Sequence, residues 1–253
     1  MMINRDLYKK YFTQDSIPNW VCPTCQIAVL NTTSEHFIFE DTAITKQSWN
    51  EDWFDPDMAR YTYTALFTCS NPSCKEAVAS SGFGSLEEEY IHTPSGYERE
   101  YVSYFRPLFF HPPLKFFQIP NDTPDNVKKA IEASFSLSFS NKSAAVNQIR
   151  IALECLLNNL GIPQVSNENI KSKRLSLHDR VELLTHKYPK LKDICLAIKW
   201  LGNSGSHCEE EMTMDNVLDG YEMMSFVLDE LYDNKHERIA ILAKQINDKK
   251  GAK

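Results

Sequence analysis

No stretch of this chain approaches the ~20 consecutive apolar residues that a membrane-spanning helix needs, so no membrane association is expected. Glycine is scarce, 8 residues in 253, and none builds a phosphate-cradling Gly-rich loop or a G-x-S-x-G elbow. That argues against a loop-type nucleotide enzyme and a hydrolase of the elbow type. The seven histidines (His36, His92, His111, His178, His186, His207 and His236) include no two-His ligand pair at helical spacing. A metal-dependent hydrolase is therefore a poor fit. Basic residues do not dominate: 27 Lys and Arg face 34 Asp and Glu, for a net charge of −7. The chain as a whole is not a nonspecific nucleic-acid binder. The start, MMINRDLYKKYF, has neither an apolar core nor a small-residue cleavage site, so a signal peptide is not expected. No internal repeat is found, and the one biased tract is the Lys-rich stretch from Lys244 to Lys253.

What the chain does have begins with cysteine. There are seven, an odd number, which fits free thiols in a reducing, cytoplasmic setting better than a disulfide scaffold. Four fall in two close pairs, Cys22-Pro-Thr-Cys25 and Cys69-Ser-Asn-Pro-Ser-Cys74, each at a proline-marked turn. Such knuckles aim two thiolates at one point, and two knuckles complete a tetrahedron for Zn2+. With all four positions closed by Cys, the metal would be structural, holding a small layer with a thin core. The flanks read as strands. Gln26–Leu30 and Phe37–Phe39 are short and apolar. Arg60–Cys69 alternates, with Tyr61, Tyr63, Ala65 and Phe67 on one face. Tyr97–Phe105 reads as a further strand. The Pro107–Pro120 stretch, PLFFHPPLKFFQIP, is too rich in proline for a helix and too aromatic for a solvated linker. It is expected to run extended across the second half.

There the pattern changes to the helical period. Thr123-Pro124-Asp125 opens a helix to about Phe139. The next, from Lys142 to Leu160, carries Val146, Ile149, Leu153, Leu156, Leu157 and Leu160 and ends at Gly161. Arg150 and Glu154 stand four apart on it. Ser176 and Asp179 form a capping-box pattern for a helix to about His186, another helix begins at Pro189, and a last one runs from about Thr213 to Tyr232 and on through Lys244. Charge is segregated: from Lys171 to Lys199 there are eight Lys or Arg against three acids, and from Trp200 to Asn234 nine acids and no Lys or Arg. Either neighbouring elements attract one another, or one side faces RNA and the other a partner.

Between those charge blocks lies IKWLGNSGSHCEEEM, Ile198 to Met212. On a helix, Asn203 and His207 share a face. His207 is then either a general acid or base, as its neutral titration range allows, or a packed, hydrogen-bonded side chain. Gly202 and Gly205 suit close approach of another backbone, at a helix–helix or dimer contact.

Three motifs in order resemble the bacterial domain family DUF4145: the entry HPPLKFFQIP, the run Arg150-Ile151-Ala152-Leu153-Glu154, and Gly202-Asn203-Ser204-Gly205-Ser206-His207 followed by a long amphipathic helix. The resemblance spans about residues 107–233. The family looks like a branch of the HEPN superfamily, all-helical domains that commonly dimerise, many of them metal-independent ribonucleases of toxin and antiphage systems. In that chemistry a His moves the proton of the RNA 2′-hydroxyl or leaving oxygen while an Arg stabilises the phosphorane. Here His207 and Asn203 match the His and the polar residue. The Arg position falls on Gly202, and the nearest cation is Lys199. Glu209, Glu210 and Glu211 follow His207 almost at once.

The expectation is therefore an α+β chain: residues 1–106 a zinc-ribbon-containing β domain, residues 107–253 a HEPN-like helical bundle. Cys22, Cys25, Cys69 and Cys74 are the metal ligands. The preferred function is a non-catalytic interaction or nucleic-acid-binding module of a bacterial defence system, acting on RNA or a partner defence protein as a homodimer formed through the bundle. Lys171, Lys173 and Arg174 are the nucleic-acid-binding candidates. The alternative is a HEPN-type ribonuclease with His207, Asn203 and Lys199 catalytic and Arg150 and Glu154 in support.

Overall fold

The computed structural model describes residues 3–93, 96–166, 173–204, 211–232 and 235–248. A one-turn helix α1 (Asp6–Lys9) leads to strands β1 (Leu30–Asn31) and β2 (Phe37–Asp41). Helix α2 (Ala43–Ser48) and strands β3 (Arg60–Cys69), β4 (Ala77–Thr93) and β5 (Gly96–His111) follow. The five strands make one antiparallel sheet. β1 and β2 pair end to end along one side of β3, β4 pairs with its other side, and β5 pairs with β4.

β3 keeps the alternation read from its sequence, burying Tyr61, Tyr63, Ala65, Phe67 and Cys69. The face it presents is not thinly cored. Phe12, Trp20, Phe37 and Phe105 join Tyr63 and Phe67 there, with Phe37 stacked on Tyr63 at 5.1 Å between centroids and Phe12 edge-on to Trp20 at 5.2 Å. β4 carries no strand signal in its first half, AVASSGFGS, because the small residues serve the neighbours. A Cβ on Gly82 would lie 2.1 Å from the Arg106 carbonyl oxygen and 2.7 Å from Tyr63 Cε1, so only glycine lets that ring lie against the strand. β5 runs past Pro107, where a strand end is expected, because the ladder shifts register there. Gly82 pairs with Pro107 and Ser81 with Phe109, and a proline without an N–H is tolerated at such a bulge.

Of the proline-rich stretch, residues 107–111 complete β5, and the residues from there to α3 form neither helix nor strand and bury Leu114 and Phe116. The Phe116 ring lies 4.5 Å from Tyr8 and 4.7 Å from Tyr221. It thereby joins the aromatic sheet core to the helical core. The helices are α3 (Asp125–Leu137) and α4 (Lys142–Asn159). A two-residue ladder of β6 (Val165–Ser166) and β7 (Lys173–Arg174) comes next. Then come α5 (Leu177–Thr185), α6 (Lys192–Ser204), α7 (Met214–Tyr232) and α8 (Lys235–Asp248). Asn141 caps α4 by accepting from the Ala144 N–H at 2.9 Å. The Ser176–Asp179 capping box on α5 forms as read. Thr123 does not cap α3; its hydroxyl is buried and without a partner among the described residues.

The acidic run has an intramolecular use. Arg5 donates to Asp219 at 2.6 Å, to Glu222 at 2.9 Å and to Asp215 at 3.4 Å, and Lys9 pairs with Asp215 at 2.6 Å. The amino-terminal segment thus neutralises one face of α7. The hydrogen bond from Lys9, aided by Arg5, holds the Asp215 carboxyl below its ordinary range. A depressed folded-state value stabilises above the unfolded value and is lost as pH falls through the acid range. Replacing Arg5 by Ala is expected to cost about 1 kcal/mol, less at high salt, read as a shift in the thermal midpoint at two ionic strengths.

Candidate functional site

The two cysteine knuckles converge. Cys22 and Cys74 sulfurs stand 3.9 Å apart, Cys25 and Cys69 sulfurs 3.6 Å, and all four lie within 4.8 Å of one another. A disulfide would require about 2.05 Å. A tetrahedron with metal–sulfur bonds of about 2.3 Å has edges of about 3.8 Å. The donor set therefore fits a tetrahedral thiolate site. Among the described residues no other His, Cys, Asp and Glu group has this geometry. The knuckles are built alike. The residue after the second cysteine of each, Gln26 at φ 53° and Lys75 at φ 50°, takes the left-handed conformation that turns the chain back. Backbone N–H groups of Ile27 and then Ala28 point at the Cys25 sulfur and hold its thiol down to about 6. In the second knuckle the Asn71 N–H lies 3.4 Å from the Cys69 sulfur.

A second site forms where α4, α5, α6 and β7 meet, around a cavity of about 450 Å³. α4 contributes Arg150 and Glu154, and α6 contributes Lys199 and Asn203. Arg174 enters from β7, while Ser176 and Arg180 come from the cap and body of α5. Four of the five candidates for catalysis or its support (Arg150, Glu154, Lys199 and Asn203) therefore share one cavity with Arg174 from the nucleic-acid set. Lys173 is exposed on β7 and does not line it. His207 and Lys171, like Gly205, lie outside the described residues.

The close approach read into Gly202 occurs within the chain. A Cβ there would stand 2.5 Å from Arg150 Cβ and 2.9 Å from Arg150 Cδ. Glycine lets α6 pack onto α4 with the Arg150 stem laid across it, so the buried Gly202 serves a helix–helix contact in one protomer. The Arg150 Nη2 donates to Glu154 at 2.9 Å and Nη1 to Asn147 at 3.4 Å. The Arg150 Nε is buried with no partner among the described residues.

Arg180 went unnoticed in the sequence, where it is one cation in a basic run. It is 6% exposed. Its Nη2 donates to Asn158 Oδ1 at 2.7 Å and to the Ile162 carbonyl at 3.2 Å, while its Nε is also buried without a partner among the described residues. Burial lowers its pKa and the nearby Glu154 opposes that, yet an arginine stays charged throughout. Each buried N–H left unpaired costs about 1–3 kcal/mol. At the rim, Lys199 Nζ sits 3.5 Å over the ring of Trp200, which is 57% exposed.

Among the described lining residues there are four cations and one carboxylate, and two of the cations carry buried unpartnered Nε donors, a set whose chemistry suits an anion rather than a metal. No curated protein and no solved structure matches the chain. Residues 10–110, the sheet with its cysteine knuckles, match the family described as Domain of unknown function (DUF8608), and residues 131–249, which hold the cationic cavity, match Domain of unknown function (DUF4145).

Proposed function

We propose that this chain is a non-catalytic, RNA-binding module whose cationic cavity on the helical half receives phosphate. The observation that carries this reading is the grouping of Arg150, Arg174, Arg180 and Lys199 with one acid, Glu154, among the described residues that line the cavity. The acidic face of α7 is turned to Arg5 and Lys9, so it does not offset the cavity's charge. Exposed Trp200 beside Lys199 adds a surface for base stacking. From the resemblance come the setting, a bacterial antiphage or restriction-associated system, and assembly as a homodimer through the bundle. The four cysteines would hold Zn2+ structurally, with no coordination position left for substrate.

The test is a titration of single-stranded RNA against wild type and an Arg174→Ala/Lys199→Ala double variant at several salt concentrations. The double variant is expected to bind about tenfold more weakly and with a salt slope smaller by about 1.4. Equal affinity of the two proteins would overturn the reading.

A second reading, a metal-independent ribonuclease with His207 as acid–base, gains one specific support. Arg150 lies across Gly202, so a guanidinium shares the cavity with Lys199 and Asn203 although position 202 itself has none. It predicts RNA cleavage by wild type that His207→Ala abolishes. RNA bound but never cut leaves the binding reading alone.

A further inference from the structure

We infer that the cavity is specific for a terminal phosphomonoester of a nucleotide, and not for the internal phosphodiesters of a strand. The inference rests on the RNA-binding reading for its setting but on separate observations for its content. The first is charge. Among the described lining residues, four cations and one carboxylate leave a surplus that a dianionic monoester neutralises better than a monoanionic diester. The second is the idle donors. Arg150 Nε on α4 and Arg180 Nε on α5 are both buried and unpartnered among the described residues, and both side chains line the cavity. Arg180 is only 6% exposed and is anchored through Nη2 to Asn158 and Ile162, which holds it in the cavity wall rather than free to swing out to a passing strand. A ligand must instead carry its acceptors in. A monoester presents three terminal oxygens, a diester only two. The third is size: about 450 Å³ lies in the range of small-ligand pockets and is ample for one nucleotide end.

The same chemistry is offered by the end of an RNA strand and by a free nucleotide, and the experiment separates them. Full-length protein is titrated with one labelled single-stranded RNA carrying a phosphate at its 5′ end, at its 3′ end, or at neither. A nucleoside monophosphate and the corresponding nucleoside serve as competitors. A preference of about tenfold or more for one phosphorylated end, with competition by the monophosphate and not the nucleoside, is the expected result. Equal affinity for all three RNAs overturns the inference and leaves RNA binding standing. Monophosphate binding without RNA binding overturns the RNA reading and keeps the inference. Binding by none overturns both. Arg180→Gln should abolish the end preference. Because that buried change also risks the fold, exposed Arg174→Gln is the companion, expected to lower the preference with an unchanged thermal midpoint.

Discussion

Stripping metal from the cysteine cluster is expected to unfold the sheet half of the protein. A strong chelator at neutral pH should abolish the near-ultraviolet signal of the aromatic core and lower the thermal midpoint by about 10 °C or more, restored by adding Zn2+. The argument starts from placement. Cys22 and Cys69 are buried within the same core as Trp20, Leu30 and Phe67, and Cys69 closes β3 where it pairs with β1. Residues 26–68 between the knuckles hold β1, β2, α2 and β3 up to its last residue, and β4 begins just after the second knuckle, so the cluster ties the amino-terminal strands to the long β4–β5 hairpin. Four thiols within 4.8 Å cannot all ionise without a cation between them. The N–H groups of Ile27 and Ala28 already prepare Cys25 as a thiolate. Cys25→Ser should remove one ligand and a large part of the stability, several kcal/mol on the scale of structural zinc sites. Elemental analysis should find one zinc per chain. Protein purified free of metal, with a midpoint indifferent to chelator and to Cys25→Ser, would refute the structural role.

How much of this was legible beforehand depends on the kind of signal. β3 was, because one face is buried and the other is wet, so period-two alternation survives in the letters. The α5 capping box and the apolar stripe of α4 were too, since both are local. β4 was not: its glycines and serines answer to Tyr63 and Phe105 across the sheet, a demand that no local pattern records. Arg150 and Glu154 were legible as a motif, four apart on one helix. Only packing shows that Arg150 meets Gly202, more than fifty positions on, and that Arg174 and Arg180 complete the same cavity. In the letters alone, the basic run and the acidic run are either neighbouring elements that attract one another or an RNA-facing and a partner-facing side. The acids instead hold the amino-terminal segment through Arg5 and Lys9, which a chain-order reading could not pair across more than two hundred residues.

Placing a side chain on Gly202 is expected to damage both stability and the cavity. In an exposed helix, Gly→Ala would stabilise by about 1 kcal/mol through helix propensity. At this position the new Cβ would meet Arg150 Cβ at 2.5 Å, an atom fixed to the α4 backbone and unable to swing aside. The helices must then part, or the Arg150 stem must leave, or both. Gly202→Ala should therefore destabilise by about 1–2 kcal/mol despite its propensity gain, and Gly202→Val, with more bulk at the same point, by roughly 3 kcal/mol. Arg150 carries its guanidinium into the cavity, so anion affinity should fall with the stability change. Combination with Arg150→Ala separates the causes. That change removes the Cγ and Cδ contacts at 3.2 and 2.9 Å but leaves the Cβ, so the double variant should recover only part of the lost stability, a non-additivity readable in denaturant midpoints. A Gly202→Ala protein more stable than wild type would mean that α4 and α6 are not pressed together here. The Arg150 guanidinium would then lose the support that sets it beside Lys199 and Asn203.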